Sequence, residues 1–112
     1  MSGEGKRKTT AFNKLVRDRI PEIIERAGKR ATVEMLNDVD FLAAVDAKLR
    51  EELDEYFASG EPEELADLLE TLYAAAQARG VGVDELERIR LKKRAERGGF
   101  DLKLFLKEVV EN

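Results

Sequence analysis

The sequence predicts an all-α fold, and two observations support this prediction. Apolar residues recur at three- and four-residue spacing through several long charged segments, which is typical of helices that bury one face. Glycine and proline interrupt this pattern at 60–62, at 80–82 and at 98–99. Apolar residues make up 43% of the chain and charged residues 39%. This mixture indicates amphipathic helices around one core rather than a disordered chain.

The first predicted helix lies within 12–28. Its apolar positions follow helical spacing, it ends near Gly28, and Pro21 is tolerated near a first turn or at a kink. The segment 31–36 alternates weakly and predicts a short strand or an extended connector. Residues 1–11 lack periodicity, so we expect a mobile N-terminal tail followed by a single domain over 12–112.

Two long helices are predicted to follow as antiparallel neighbours. A side-chain oxygen of Asn37 or Asp38 caps the first, which continues to about Ser59. Gly60 ends that helix and Pro62 lies in the first turn of the next. A turn this short keeps the two helices side by side.

The second of these helices is expected to end near Arg79, and a further helix follows it. Asp84 is predicted to cap that helix, with Glu87 completing a capping box, and Gly98 and Gly99 end it. The remaining segment, 100–110, is irregular in pattern but too apolar to stay solvated. We expect it to pack on the helices or on another subunit.

Each of the two neighbouring helices carries an apolar stripe that is expected to form the core. Glu52 lies near the centre of the first stripe, where a carboxylate loses hydration and needs a partner, a proton or a cation. Small side chains flank the second stripe and allow a helix or a ligand to approach. The stripes are Leu42, Val45, Leu49, Leu53 and Tyr56 on the first helix and Leu65, Leu68, Leu69, Leu72 and Ala76 on the second.

Four carboxylates are predicted to meet between these helices. Glu52 and Glu55 can face Glu64 and Asp67 across the groove, which creates an all-oxygen site. Magnesium and manganese prefer such ligands. Cysteine and histidine are both absent, so catalysis would depend on carboxylates, lysines, arginines and hydroxyls.

The same acids also fit an ordinary solvated helix face. Lys48 could pair with Glu52, and Arg50 with Asp54, each pair contributing a few tenths of a kcal/mol. Acid-rich helices of this kind are common without a ligand. The pattern alone leaves both interpretations open.

Four sequence blocks resemble a known superfamily. Residues 51–55 read Glu-Glu-Leu-Asp-Glu and residues 64–67 read Glu-Leu-Ala-Asp, which match the EExxE and ExxD motifs of the all-α NTP pyrophosphatases. This superfamily includes MazG-like proteins, dimeric dUTPases and phosphoribosyl-ATP pyrophosphohydrolases. The blocks at 13–21 and 92–100 are similar to the start and end of its compact, phosphoribosyl-ATP-pyrophosphohydrolase-like branch. The gap between the two motifs is shorter than in typical MazG domains.

The resemblance implies a MazG-like helical bundle that is completed by oligomerisation, as a homodimer or a higher even homo-oligomer. It implies magnesium-dependent cleavage of a nucleoside triphosphate into a monophosphate and pyrophosphate, acting on non-standard nucleotides or phosphoribosyl-ATP-like substrates. Glu51 would orient the attacking water or complete a second metal shell. The implied metal ligands are Glu52, Glu55, Glu64 and Asp67, with Glu51 and Glu52 as catalytic residues, and the candidate phosphate contacts are Lys48, Lys93, Arg97, Lys14 and Arg17.

Two other functions remain open at this stage: a module that binds a partner protein without catalysis, and a protein that binds nucleotides without turning them over. The net charge of −4 argues against stable nucleic-acid binding through a basic face. No apolar run approaches the roughly 20 residues that span a bilayer. We therefore expect no membrane association and a cytoplasmic location.

Overall fold

The computed structural model describes residues 8–111, so most of the predicted N-terminal tail, 1–7, lies outside the described residues. The described part is all-helical and contains no strand, which confirms the predicted fold class at that level. The segment 31–36 is an irregular connector. None of the described helices is long and apolar enough to cross a bilayer. The helices are α1 (Ile20–Arg26), α2 (Asp38–Ser59), α3 (Pro62–Ala78) and α4 (Val83–Arg97).

Helices α2 and α3 form an antiparallel hairpin whose ends agree with the sequence prediction. The side chain of Asn37 accepts a hydrogen bond of 2.8 Å from the backbone N–H of Asp40 and so caps α2. Helix α2 ends at Gly60, whose φ of 67° lies in the left-handed region that glycine favours. Pro62 begins α3, where its missing N–H leaves no hydrogen bond unmade.

The hairpin is held by a narrower contact than the sequence predicts. Val45 is fully buried between the helices, and Glu52 and Thr71 are 5% and 7% exposed. Small side chains on α3, including half-buried Ala74 and Ala78, allow the helices to approach closely on this side. Four leucines of the two predicted stripes are therefore largely exposed, whereas Leu42, Leu49 and Leu68 are half-buried. The exposed fractions are 40% for Leu53, 48% for Leu65, 47% for Leu69 and 44% for Leu72.

Helix α1, Ile20–Arg26, lies within the predicted range 12–28, with Pro21 in its first turn and an irregular chain before it. The predicted start of α4 is wrong. Helix α4 begins after Gly82, so Asp84 lies inside the first turn and makes no capping hydrogen bond. The carboxylate of Glu87 pairs with Arg90 instead of completing a capping box.

The chain is too extended for a closed single core. Its radius of gyration is 20.1 Å and its extents are 82 × 30 × 24 Å, whereas a compact domain of this length has a radius near 13 Å. Helix α4 contacts α3 through its first half, and the segment 100–110 is irregular and exposed. The apolar tail is therefore not packed on the described helices of its own chain.

Candidate metal centre

The α2/α3 hairpin brings three of the four predicted metal ligands together. Glu52 projects from α2, and Glu64 and Asp67 project from the same face of α3 because they are three residues apart. One carboxylate oxygen from each of the three lies within 4.8 Å of the other two. The antiparallel turn at Gly60 makes this arrangement, since residues shortly before and after it face each other.

Glu52 is the most unusual member of this cluster. Its side chain is nearly buried, and Oε1 lies 3.2 Å from Nζ of Lys48. Its other oxygen, Oε2, is buried and has no hydrogen-bond partner among the described residues. A buried carboxylate oxygen without a donor is costly. A cation held between Glu52, Glu64 and Asp67 would supply the missing charge, so the residues present fit a hard divalent metal ion.

The remaining predicted ligand, Glu55, lies outside this group of three. It is exposed on α2 but close enough to Glu64 to affect its ionisation. Partial desolvation, then repulsion from Glu55, Asp67 and Glu52, raises the pKa of Glu64 above its ordinary value. A bound divalent cation would relieve this repulsion among the carboxylates. Glu55 lies at the edge of the site and contributes negative charge there.

Glu51 is held by two lysines. Its oxygens lie 2.7 Å from Nζ of Lys14 and 3.2 Å from Nζ of Lys48. Burial of the carboxylate opposes ionisation, but the hydrogen bonds from Lys14 and Lys48 outweigh it and lower the pKa of Glu51. For Lys48, burial acts to lower the pKa, but contacts with Glu52 and Glu51 raise it overall. A carboxylate with a lowered pKa is a poor proton acceptor at neutral pH, which favours orienting water over general-base catalysis.

The irregular segment before α1 places two cations, Lys14 and Arg17, against carboxylates of α2 and α3. Nη2 of Arg17 lies 2.7 Å from Oδ1 of Asp67, and Lys14 reaches Glu51 on the other helix. The sequence predicts both cations as phosphate contacts, but its pattern does not pair them with these acids. Their segment is irregular and has no periodicity, so opposite charge was the only signal available.

The structure does not bring Lys93 or Arg97 to the carboxylates. Both are exposed on the second half of α4, which has left α3, and within residues 8–111 neither forms an ion pair with the cluster. Cations in the last turn of a helix interact favourably with its dipole whether or not a ligand binds. A phosphate role for Lys93 and Arg97 stays a prediction.

The fold and the site together define a helical-hairpin protein with an oxygen-donor cluster between two helices. No family model matches the chain, and no solved structure matches it. A protein of Mycolicibacterium smegmatis, described as uncharacterized, is 49% identical over 45 residues. The matched region is 40% of this chain and 46% of that relative's length, so this chain spans about half of the relative it matches.

Proposed function

We propose that this chain is a magnesium-dependent nucleoside triphosphate pyrophosphohydrolase of the MazG-like type. The observation that carries the proposal is the unsatisfied Oε2 of buried Glu52, within a cluster whose three carboxylates have oxygens within 4.8 Å of one another. Manganese is an alternative ion, because it accepts the same oxygen ligands. The resemblance of 51–55 and 64–67 to the superfamily motifs supports the same function.

Glu52, Glu64 and Asp67 would hold the metal ion, with Glu55 at the edge. When bound, magnesium would neutralise phosphate charge and lower the pKa of a coordinated water. Glu51, fixed by its two lysines, would orient the attacking water. Water oxygen would bond to the α-phosphorus as the bond to the bridging oxygen breaks, giving a nucleoside monophosphate and pyrophosphate.

Three cations are close enough to take part in substrate binding. Lys14, Arg17 and Lys48 each contact a carboxylate of the cluster or its neighbour Glu51. A triphosphate entering with a metal ion would compete with those carboxylates for the cations, since arginine and lysine pair strongly with phosphate oxygens. These residues are therefore the preferred phosphate contacts, ahead of Lys93 and Arg97.

The direct test is to incubate the purified chain with standard and modified nucleoside triphosphates and with phosphoribosyl-ATP, with and without magnesium. We expect release of pyrophosphate and the monophosphate from at least one substrate, and no release once the metal is chelated. Rates across the panel would rank the substrates. Release of orthophosphate instead of pyrophosphate would contradict cleavage between the α- and β-phosphates.

If the folded protein releases no pyrophosphate from any substrate of the panel, the enzyme proposal is contradicted. Titration calorimetry would then separate the two non-catalytic alternatives. Magnesium-dependent binding of a triphosphate would indicate a nucleotide-binding regulator, and no binding would indicate a protein-interaction module.

Replacing Arg17 by Met is expected to raise the KM for a triphosphate by about tenfold or more, because a charge-assisted hydrogen bond to phosphate is lost. The affinity for magnesium without nucleotide should not fall. Arg17 pairs with Asp67 in the absence of metal and therefore competes with the ion for this carboxylate. Steady-state kinetics and a magnesium titration measure the two effects. Arg19→Met is the matched control, because Arg19 pairs only with Glu22 among the described residues. Equal effects of both substitutions would contradict a specific role for Arg17.

A further inference from the structure

The tail after α4 has the apolar pattern of a helix but is not helical. Spacings of three, four, seven and eight residues from Leu102 place five apolar side chains on one face. Each is 75% or more exposed, and the segment is irregular. A helix of about ten residues is marginal in water without a surface to pack on. The five side chains are Leu102, Phe105, Leu106, Val109 and Val110.

A matching surface lies on the hairpin and the first half of α4, and none of its lining residues belongs to the carboxylate cluster. Leucines of α2, α3 and α4 line an open cleft of about 670 Å³ there, with the ion pair between Asp46 and Arg79 at its border. A volume of this size encloses several apolar groups. The leucines are Leu49, Leu69, Leu72 and Leu86.

The area that exchanged tails would bury favours a second copy as the source of the tail. On its own chain the tail is irregular and exposed. Five apolar side chains offer on the order of 100 Å² each. Two tails exchanged between two copies, counted with the grooves that receive them, would bury about 2,000 Å², the area of a specific and stable interface.

We propose that the segment 101–110 folds into an amphipathic helix in the leucine cleft of a second copy. The tail of that second copy binds in the cleft of the first in the same way. Helix-in-groove binding of this kind buries the apolar face at its i, i+3, i+4 and i+7 positions. The exchange is an isologous, closed dimer. The cleft shares no residue with the carboxylate cluster, so the exchange does not depend on metal binding.

Two neighbouring residues test this proposal. Phe105 lies on the apolar face of the proposed helix and Leu104 lies on the other side, although both are apolar and are 87% and 85% exposed. We expect sedimentation equilibrium of the full chain to show a dimer. Phe105→Asp should weaken dimerisation by at least about 100-fold, and Leu104→Asp should leave it within about threefold of the unaltered chain. Far-UV circular dichroism of the unaltered chain should show helix content that falls on dilution.

Three results would overturn the proposal. The first is an unaltered chain that stays monomeric at high concentration, and the second is equal weakening by both substitutions. The third is tail helicity that does not change on dilution, which would mean that the tail folds onto its own cleft. Thermal unfolding of each variant checks that the hairpin remains folded. Pyrophosphate release measured alongside keeps this outcome separate from that of the proposed activity.

Discussion

If the proposed activity is correct, replacing Glu64 by Gln is expected to reduce magnesium-dependent pyrophosphate release by at least about 100-fold, because one of the three proposed oxygen ligands loses its charge. The fold should tolerate the change. The pKa of Glu64 is raised, so ionisation of this group disfavours the folded state. Its contribution to stability is present below the ordinary carboxyl pKa and is lost as pH rises through the folded pKa. The amide does not titrate, so the metal-free variant should be at least as stable as the unaltered chain at neutral pH.

Glu63→Gln is the matched control for this experiment. Glu63 is the adjacent residue in the first turn of α3, is exposed, and is not part of the carboxylate cluster. We expect its kinetics to stay within about threefold of the unaltered chain, since a surface charge in this position contributes little. Magnesium should raise the unfolding temperature of the unaltered chain and of Glu63→Gln, but much less that of Glu64→Gln. Equal loss of activity in both variants would contradict a specific metal ligand at Glu64.

Replacing Lys48 by Met is expected to lower the free energy of unfolding by about 1 to 3 kcal/mol in the absence of metal. This range lies between the small effect of removing one partner of an exposed ion pair and the larger effect of removing one partner of a buried pair. Lys48 has 15% of its side chain exposed, and it contacts both Glu51 and Glu52. Its removal leaves Glu52 with no cation within ion-pair distance among the described residues. Magnesium should narrow the deficit, because a bound cation replaces the lost charge. Urea denaturation with and without magnesium measures both quantities.

The pH dependence of this deficit follows from the signs of the pKa shifts. The pKa of Glu51 is lowered, so its contribution is present above the ordinary carboxyl pKa and is lost as pH falls through the folded pKa. The pKa of Lys48 is raised, so its contribution is lost as pH rises through the folded pKa. The deficit should therefore be largest near neutral pH and smaller in acid. Lys14→Met, which removes a more exposed partner of Glu51, should cost less than about 1 kcal/mol.

The hairpin was predictable because its signals are local. The cap at Asn37, the left-handed Gly60 and the first-turn Pro62 each act within a few residues, so the sequence contains the whole physical cause. The start of α4 was predicted wrongly because its local signals are ambiguous. Gly82 and Asp84 are both acceptable N-terminal residues, and nothing local distinguishes them.

The carboxylate site was predictable only in part. Glu52, Glu64 and Asp67 follow from helix periodicity plus a tight antiparallel turn, and those two facts bring them together. The exclusion of Glu55 from the trio depends on how α2 is rotated against α3, which periodicity leaves undetermined. The contacts of Lys14 and Arg17 join residues more than 35 positions apart, across a segment without regular structure.

The sequence by itself determined the helices, their order and the acids that face one another across the turn, because capping, glycine and proline conformation and periodicity act locally. Only the tertiary structure decided which face of each helix is buried. Small side chains on α3 allow close approach beside Thr71, and this moves leucines such as Leu69 and Leu72 onto an open flank. The same packing buries Glu52 and leaves one of its oxygens without a donor. Burial of that atom depends on the shape of the whole interface, which no local pattern contains.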